Sequence, residues 1–180
     1  PASGGELLFV GNMAYGPNVD AVHYFCEAIL PLIQRQLPDA RFTVVGINPP
    51  ASVRELGRSP AVAIVGPVPQ LRSYYEAAAV AVVPLRAGGG TRLKILEAMA
   101  LGRPVVSTTT GCEGLDVHPG EHLCVEDEPA LFAEAVVKLC LDRVAARHMA
   151  ARARGLCDAR YGWDTAAEQL EETYRGLCNA

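Results

Sequence analysis

Apolar residues fall along this chain in two alternating rhythms. Six short runs carry almost no polar interruption: Leu7-Leu8-Phe9-Val10, Phe42-Thr43-Val44-Val45, Val62-Ala63-Ile64-Val65, Val80-Ala81-Val82-Val83, Val105-Val106-Ser107 and Leu123-Cys124-Val125. The first four close on Gly11, Gly46, Gly66 and Pro84. Short apolar runs bounded by such turn residues predict strands buried on both faces. Between them the spacing lengthens. Val22, Phe25, Cys26, Ile29, Leu30 and Ile33 keep a helical period, opened by Pro17 and Asn18 and ended before Pro38. A weak short helix follows Pro49-Pro50, another runs from Pro69 to about Ala78, and a third from about Thr91 to Leu101, where Gly102 stops it. Three more helical stretches are expected over roughly 129–141, 143–156 and 164–177.

Strands alternating with helices predict repeated βαβ units. The expected fold is α/β: a Rossmann-like, doubly wound, mainly parallel sheet of about six strands with helices on both faces. Ligands of such sheets sit beyond the carboxyl ends of the strands, at the switch point in strand order. Chemistry is therefore expected just after Val10, Val65, Pro84 and Ser107.

The length, 180 residues, suits one domain with a sizeable core. We expect a core over 6–160 and a C-terminal helix over 161–180. Half the residues are hydrophobic and the net charge is −4, which argues against a general nucleic-acid partner. No apolar run approaches membrane-spanning length. The start, Pro1-Ala2-Ser3-Gly4-Gly5, has no signal-peptide character, and the lack of an initiator Met suggests a trimmed or excised chain. The six cysteines form no CxxC pair. Cys26, Cys140 and Cys178 fall in apolar helical patterns, so a reducing, cytoplasmic setting is expected.

The segment from Gly88 to Ala100 is the richest in chemistry. Gly88-Gly89-Gly90 lies between a buried strand and a helix, where free N–H groups and the helix dipole favour a phosphate. Thr91 can bond a phosphate oxygen, and Arg92 and Lys94 add positive charge. Lys94 and Glu97, spaced i, i+3, share a face of a helix otherwise apolar nearly all round. Glu97 needs polar partners there. Ribose hydroxyls one turn beyond a diphosphate would serve, and so would a plain Lys94–Glu97 pair. His118, His122, Cys112 and Cys124 match no zinc spacing, so no metal and no other cofactor is expected. Trp163 is expected to anchor the last helix, and Tyr74 and Tyr75 to lie in the core or at its rim.

The stretch Val83-Pro84-Leu85-Arg86-Ala87-Gly88-Gly89-Gly90-Thr91-Arg92-Leu93-Lys94-Ile95-Leu96-Glu97-Ala98-Met99-Ala100, followed by Gly102-Arg103-Pro104-Val105-Val106-Ser107-Thr108, resembles the donor-binding signature of family 4 glycosyltransferases. It is most similar to bacterial exopolysaccharide-type sugar transferases. Phe9-Val10-Gly11-Asn12-Met13, Pro17-Asn18-Val19-Asp20-Ala21, Ile64-Val65-Gly66-Pro67-Val68, Gly111-Cys112-Glu113-Gly114-Leu115 and Tyr161-Gly162-Trp163-Asp164 carry the resemblance through most of the chain.

The resemblance implies the donor half of a two-domain GT-B enzyme. Such a half binds a nucleoside diphosphate sugar for transfer with retention. A separate N-terminal half would bind the acceptor, and any peripheral membrane association would come through it. By the same resemblance Glu97 binds the ribose, and Arg92, Lys94 and the Gly90-Thr91 backbone meet the diphosphate. Gly11 and Asn12 approach it from the first strand, and Val68 meets the base. Two departures stand out. The usual motif is Glu, seven residues, Glu, whereas Gly89 occupies the first position here. The loop Asn12-Met13-Ala14-Tyr15-Gly16-Pro17 also lacks the Arg and Lys that many members carry, leaving Arg92 and Lys94 to supply the charge. Two other readings share the architecture: a nucleotide-binding module without catalysis, and a nucleotide-sugar epimerase-like enzyme, for which no acidic and histidine groups stand out.

Overall fold

Six strands pair in the order β3-β2-β1-β4-β5-β6, every neighbouring pair parallel. They are β1 (Glu6–Val10), β2 (Arg41–Val45), β3 (Val62–Val65), β4 (Val80–Val83), β5 (Val105–Ser107) and β6 (Cys124–Val125). The computed structural model describes residues 5–178. All six apolar runs became strands, and the sheet is wholly parallel among the described residues. Chain direction across the sheet reverses between β1 and β4, so the switch point lies where those two strands end.

The helices are α1 (Gly16–Tyr24), α2 (Leu30–Gln34), α3 (Ala51–Leu56), α4 (Arg72–Ala77), α5 (Leu93–Ala100), α6 (Thr109–Cys112), α7 (Pro129–Leu141), α8 (Arg143–Arg160) and α9 (Trp163–Cys178). Both α5 and α7 pack on β4 and β5, from opposite faces; α8 covers α5, and α2 meets α7. The core between sheet and helices is continuous. Phe25, Phe42 and Phe132 meet within it, with ring centroids 4.3 and 6.2 Å apart.

Several boundaries differ from expectation for identifiable reasons. The first helix is not uniform: Phe25–Ile29 is a π-helical turn between α1 and α2. Pro31 follows it and has no N–H to give the carbonyl of residue 27, so the chain widens there and the Leu30 N–H reaches back to Phe25. α5 begins at Leu93 rather than Thr91 because Arg92 is in the left-handed region, φ 53°. α4 starts at Arg72, three residues past Pro69. α6, with two threonines and a glycine, carries no apolar period and was not expected. Thr108 caps it by accepting from the Gly111 N–H.

Gly102 does end α5. At φ 66° it gives its N–H to Met99, while the Arg103 N–H reaches Ala98, the paired bonds of a Schellman turn. The five cysteines from Cys26 to Cys157 are free thiols. The side chains of Trp163 and Cys178, and residues 1–4, lie outside the described residues.

Candidate functional site

A cavity of about 440 Å³ opens at the switch point, beyond the carboxyl ends of β1, β2 and β4. Gly11, Asn12, Val68, Gly89, Gly90, Thr91, Arg92, Lys94 and Glu97 all line it. These are the residues singled out from sequence, gathered from three separate loops and one helix. Of the four strand ends where chemistry was expected, three bound the cavity. Ser107 is instead buried, bonding the carbonyls of Val83 and Thr108.

The floor is made by close backbone approach. A Cβ on Gly11 would lie 2.8 Å from Asn18 Nδ2, and one on Gly46 would lie 1.7 Å from the Gly11 carbonyl oxygen. Bonds from Gly11 N–H to Val45 and from Gly46 N–H to Val65 hold the three strand ends together.

The wall is the glycine loop and the start of α5. Gly88 and Gly90 have φ of 108° and 106°, a region open to glycine at little cost. Tyr15 Oη accepts from the Gly89 N–H at 3.1 Å and so ties the loop to the β1 side. Among the described residues, the N–H groups of Gly90, Thr91, Leu93 and Lys94 have no hydrogen-bond partner. Four donors at the positive end of a helix form a cradle for an anion.

Lys94 and Glu97 do not pair. Lys94 Nζ donates to Asn18 Oδ1 at 2.6 Å and stands 4.2 Å over the Phe9 ring. Asn18 is itself fixed by donating Nδ2 to the Asn12 carbonyl at 2.8 Å. Burial lowers the Lys94 pKa to about 8, the neighbouring Arg92 charge adds to this, and Glu97 opposes it. Glu97 Oε2 instead accepts from Tyr75 Oη at 3.1 Å. Burial, then the charge of Glu97 and its hydrogen bond, push the Tyr75 phenol up, so it remains a donor.

Arg92 is turned away from open solvent, its side chain 4% exposed. Nη2 donates to the Gly88 carbonyl at 2.8 Å and lies 3.5 Å from Glu113 Oε2, while Nε is buried without a partner. It braces the glycine loop from beneath. Arg86, another cation in the loop, is paired with Asp20 and stacked 4.4 Å over Tyr24.

Sequence reading missed Tyr75, Asn18, Tyr15 and Gly46. Tyr75 carried a usable signal. A core tyrosine must find its hydroxyl an acceptor, and Glu97 is a carboxylate on a buried helix in the same half of the sheet. His118 and His122 do not reach the cavity. Their rings stack 5.4 Å apart, and His122 Nδ1 accepts from the His118 N–H.

The family model described as "Glycosyl transferases group 1" matches residues 4–142. The chain is 33% identical to a D-inositol 3-phosphate glycosyltransferase of Corynebacterium urealyticum, over 98% of this chain and 44% of that protein. It is 31% identical to a GDP-mannose-dependent alpha-(1-6)-phosphatidylinositol monomannoside mannosyltransferase of Mycobacterium tuberculosis, over 82% and 42%. In structure it is similar to sucrose-phosphate synthase from Thermosynechococcus elongatus, with a TM-score of 0.79 and 25% identity over 99% and 47% of the two chains. The chain thus spans less than half the length of these relatives.

Proposed function

The chain belongs to the group 1 glycosyl transferases, and from this premise we propose that its cavity holds the nucleoside diphosphate sugar of a retaining glycosyl transfer. The observation that carries the reading is the cradle of unpartnered N–H groups at Gly90, Thr91, Leu93 and Lys94, with the Lys94 ammonium beside it. A diphosphate placed there meets aligned donors and a partly desolvated cation. When the bond between sugar and diphosphate breaks, the electron pair stays on the diphosphate. Donors already in place stabilise that added charge without reorganising. Lys94 and Arg92 supply the positive field, and Arg92 also holds Gly88 in position.

Glu97 takes the ribose hydroxyls on the oxygen that Tyr75 leaves open. Val68, with Gly66 and Pro67, forms the shelf for the base, and Gly11 and Asn12 close on the phosphates from the β1 side. Gly89 brings no carboxylate to the sugar, and its missing Cβ points into open space. Support for a donor half comes from the share of its relatives that the chain spans. The acceptor wall would be an N-terminal domain, since pockets at domain interfaces need both walls. Contact with a membrane-borne acceptor would fall to that domain. Among the described residues no helix is long and apolar enough to cross a membrane.

Product formation from a panel of nucleotide sugars tests this reading. The 180 residues alone should transfer nothing measurable, and addition of an N-terminal half, fused or in trans, should produce transfer. Robust turnover by the chain alone would refute the half-enzyme reading.

A further inference from the structure

The three glycines of the loop before α5 stand there for different reasons. Gly88 and Gly90 have φ of 108° and 106°, which glycine adopts at little cost. A Cβ on Gly88 would also fall 2.7 Å from Tyr15 Oη and 3.1 Å from Pro17 Cβ. Gly89 is under neither constraint. Its φ lies outside the left-handed region, and an added Cβ would meet nothing within 4 Å. Yet Gly89 lines the cavity at the switch point. A side chain there would extend into the space a ligand enters, not into protein.

The group that reaches this bare position is a phenol from the other side of the switch point. Tyr15 stands just before α1, 74 positions from Gly89. Its backbone is fixed: the N–H donates to the Asn12 carbonyl at 3.2 Å, and the carbonyl accepts from the N–H groups of Asn18 and Val19 at 2.9 and 3.4 Å. The residue is 43% exposed, and Oη accepts from the Gly89 N–H at 3.1 Å. The hydroxyl proton is left to be donated, and it has no acceptor among the described residues. Other polar side chains of the cavity are engaged within the protein: Lys94 with Asn18, Asn18 with Asn12, Glu97 with Tyr75. Gly89 precedes the cradle of N–H groups, and Glu97 stands beyond it on α5. A ligand with its ribose on Glu97 and its diphosphate on the cradle therefore directs its remaining group toward Gly89 and Tyr15.

We propose that Tyr15 is a specificity-determining residue of this cavity: its phenol, seated on the Gly89 N–H, donates a hydrogen bond to an oxygen of the sugar carried by the nucleotide. This rests on the nucleotide-sugar reading given above. The bond from Gly89 polarises the phenol and strengthens it as a donor. The bare Gly89 leaves room for the sugar. Among the described residues, Glu97 is the one carboxylate that lines the cavity. A neutral phenol thus engages an acceptor oxygen of the sugar without adding negative charge beside the leaving diphosphate.

The test is calorimetric titration of the wild-type chain and Y15F with uridine, guanosine and adenosine diphosphates, and with UDP-glucose, GDP-mannose and ADP-glucose. The readout is the ratio of nucleotide-sugar affinity to nucleoside diphosphate affinity, for the base that binds. Y15F also breaks the tie to the glycine loop, but that loss acts on both ligands and cancels in the ratio. Loss of a sugar contact does not cancel. The ratio should fall about three- to tenfold in Y15F, the worth of one neutral hydrogen bond. Amide NMR of the wild-type chain gives a second measurement that needs no variant. The Tyr15 and Gly89 signals should shift further with the nucleotide sugar than with its diphosphate. A ratio unchanged in Y15F, or identical Tyr15 and Gly89 shifts with both ligands, overturns the assignment and leaves Tyr15 as a tie for the loop. Binding of a diphosphate with no binding of its sugar conjugate overturns it as well. If no diphosphate binds the wild-type chain, the nucleotide-sugar reading itself fails, and the role of Tyr15 falls with it.

Discussion

Tyr75, 1% exposed on α4, donates its hydroxyl to Glu97 on α5 at 3.1 Å, across the wall of the cavity. The same hydroxyl lies 3.3 Å from the Lys94 carbonyl. One buried phenol therefore fixes both the start of α5 and the direction of its carboxylate. Tyr75→Phe keeps the ring packing and removes the donor. Stability should fall by about 1.5 to 3 kcal/mol, nearer the lower figure because Glu97 is only half-buried and water can take the place of the phenol. Nucleoside diphosphate binding should weaken less than in Glu97→Gln. Chemical denaturation and calorimetry measure the two effects; a variant as stable as wild type would remove Tyr75 from this account.

Lys94 should make nucleoside diphosphate affinity depend on pH. Its pKa is lowered to about 8 from an ordinary 10.5, chiefly by burial. Between those values the unfolded chain carries a proton the fold has lost, so this group adds stability to the ligand-free protein as pH rises from about 8 to about 10.5. Diphosphate binding favours the charged ammonium and runs the other way. Affinity should be flat with respect to this group well below pH 8 and then decline, by at most about tenfold per pH unit. At pH 8.5 binding should take up a proton, seen as a dependence of the calorimetric heat on buffer ionisation enthalpy. No proton uptake there would remove Lys94 from the phosphate site.

Arg92 and Lys94 should separate by phenotype although they stand two residues apart. Arg92→Ala breaks the guanidinium bond to the Gly88 carbonyl, and stability should drop by about 1.5 to 3 kcal/mol. Lys94→Ala relieves a buried charge, so the fold should tolerate it while the preference for diphosphate over nucleoside collapses. Denaturation midpoints and paired titrations with nucleoside and nucleoside diphosphate distinguish them. Equal loss of stability in both variants would contradict these assignments.

Gly46 should tolerate no side chain. Its Cβ would fall 1.7 Å from the Gly11 carbonyl oxygen, and both backbones are held by strand hydrogen bonds. Gly46→Ala should cost about 3 kcal/mol or more. Gly66→Ala has nothing within 4 Å of the added carbon and should stay within about 0.5 kcal/mol of wild type. Thermal unfolding of the pair is the comparison, and equal midpoints would mean that the strand ends move apart freely.

The sheet was readable because a strand covered on both faces is apolar nearly throughout, as in Val80–Val83, and the runs end on turn residues such as Gly46, Gly66 and Pro84. The glycine loop was readable because its cavity-lining residues, Gly89 to Lys94, are contiguous. What stayed hidden depends on tertiary approach. Glu97 and Tyr75 lie 22 positions apart, and Lys94 and Asn18 lie 76 apart; no local period links either pair. Asn18 was legible only as part of the opening of the first helix, whereas its side chain bonds Asn12 and Lys94. The left-handed Arg92 was equally hidden, since no glycine or asparagine stands at that position to mark it.

On the reading proposed above, the cavity at the switch point binds a nucleoside diphosphate, with Glu97 on its ribose. Calorimetric titration of wild type and Glu97→Gln with uridine, guanosine and adenosine diphosphates is the deciding experiment. At least one of the three should bind wild type, and its affinity should fall in Glu97→Gln by about 1.5 to 3 kcal/mol, the worth of hydrogen bonds to a charged group. Binding of equal strength in both proteins would contradict the account.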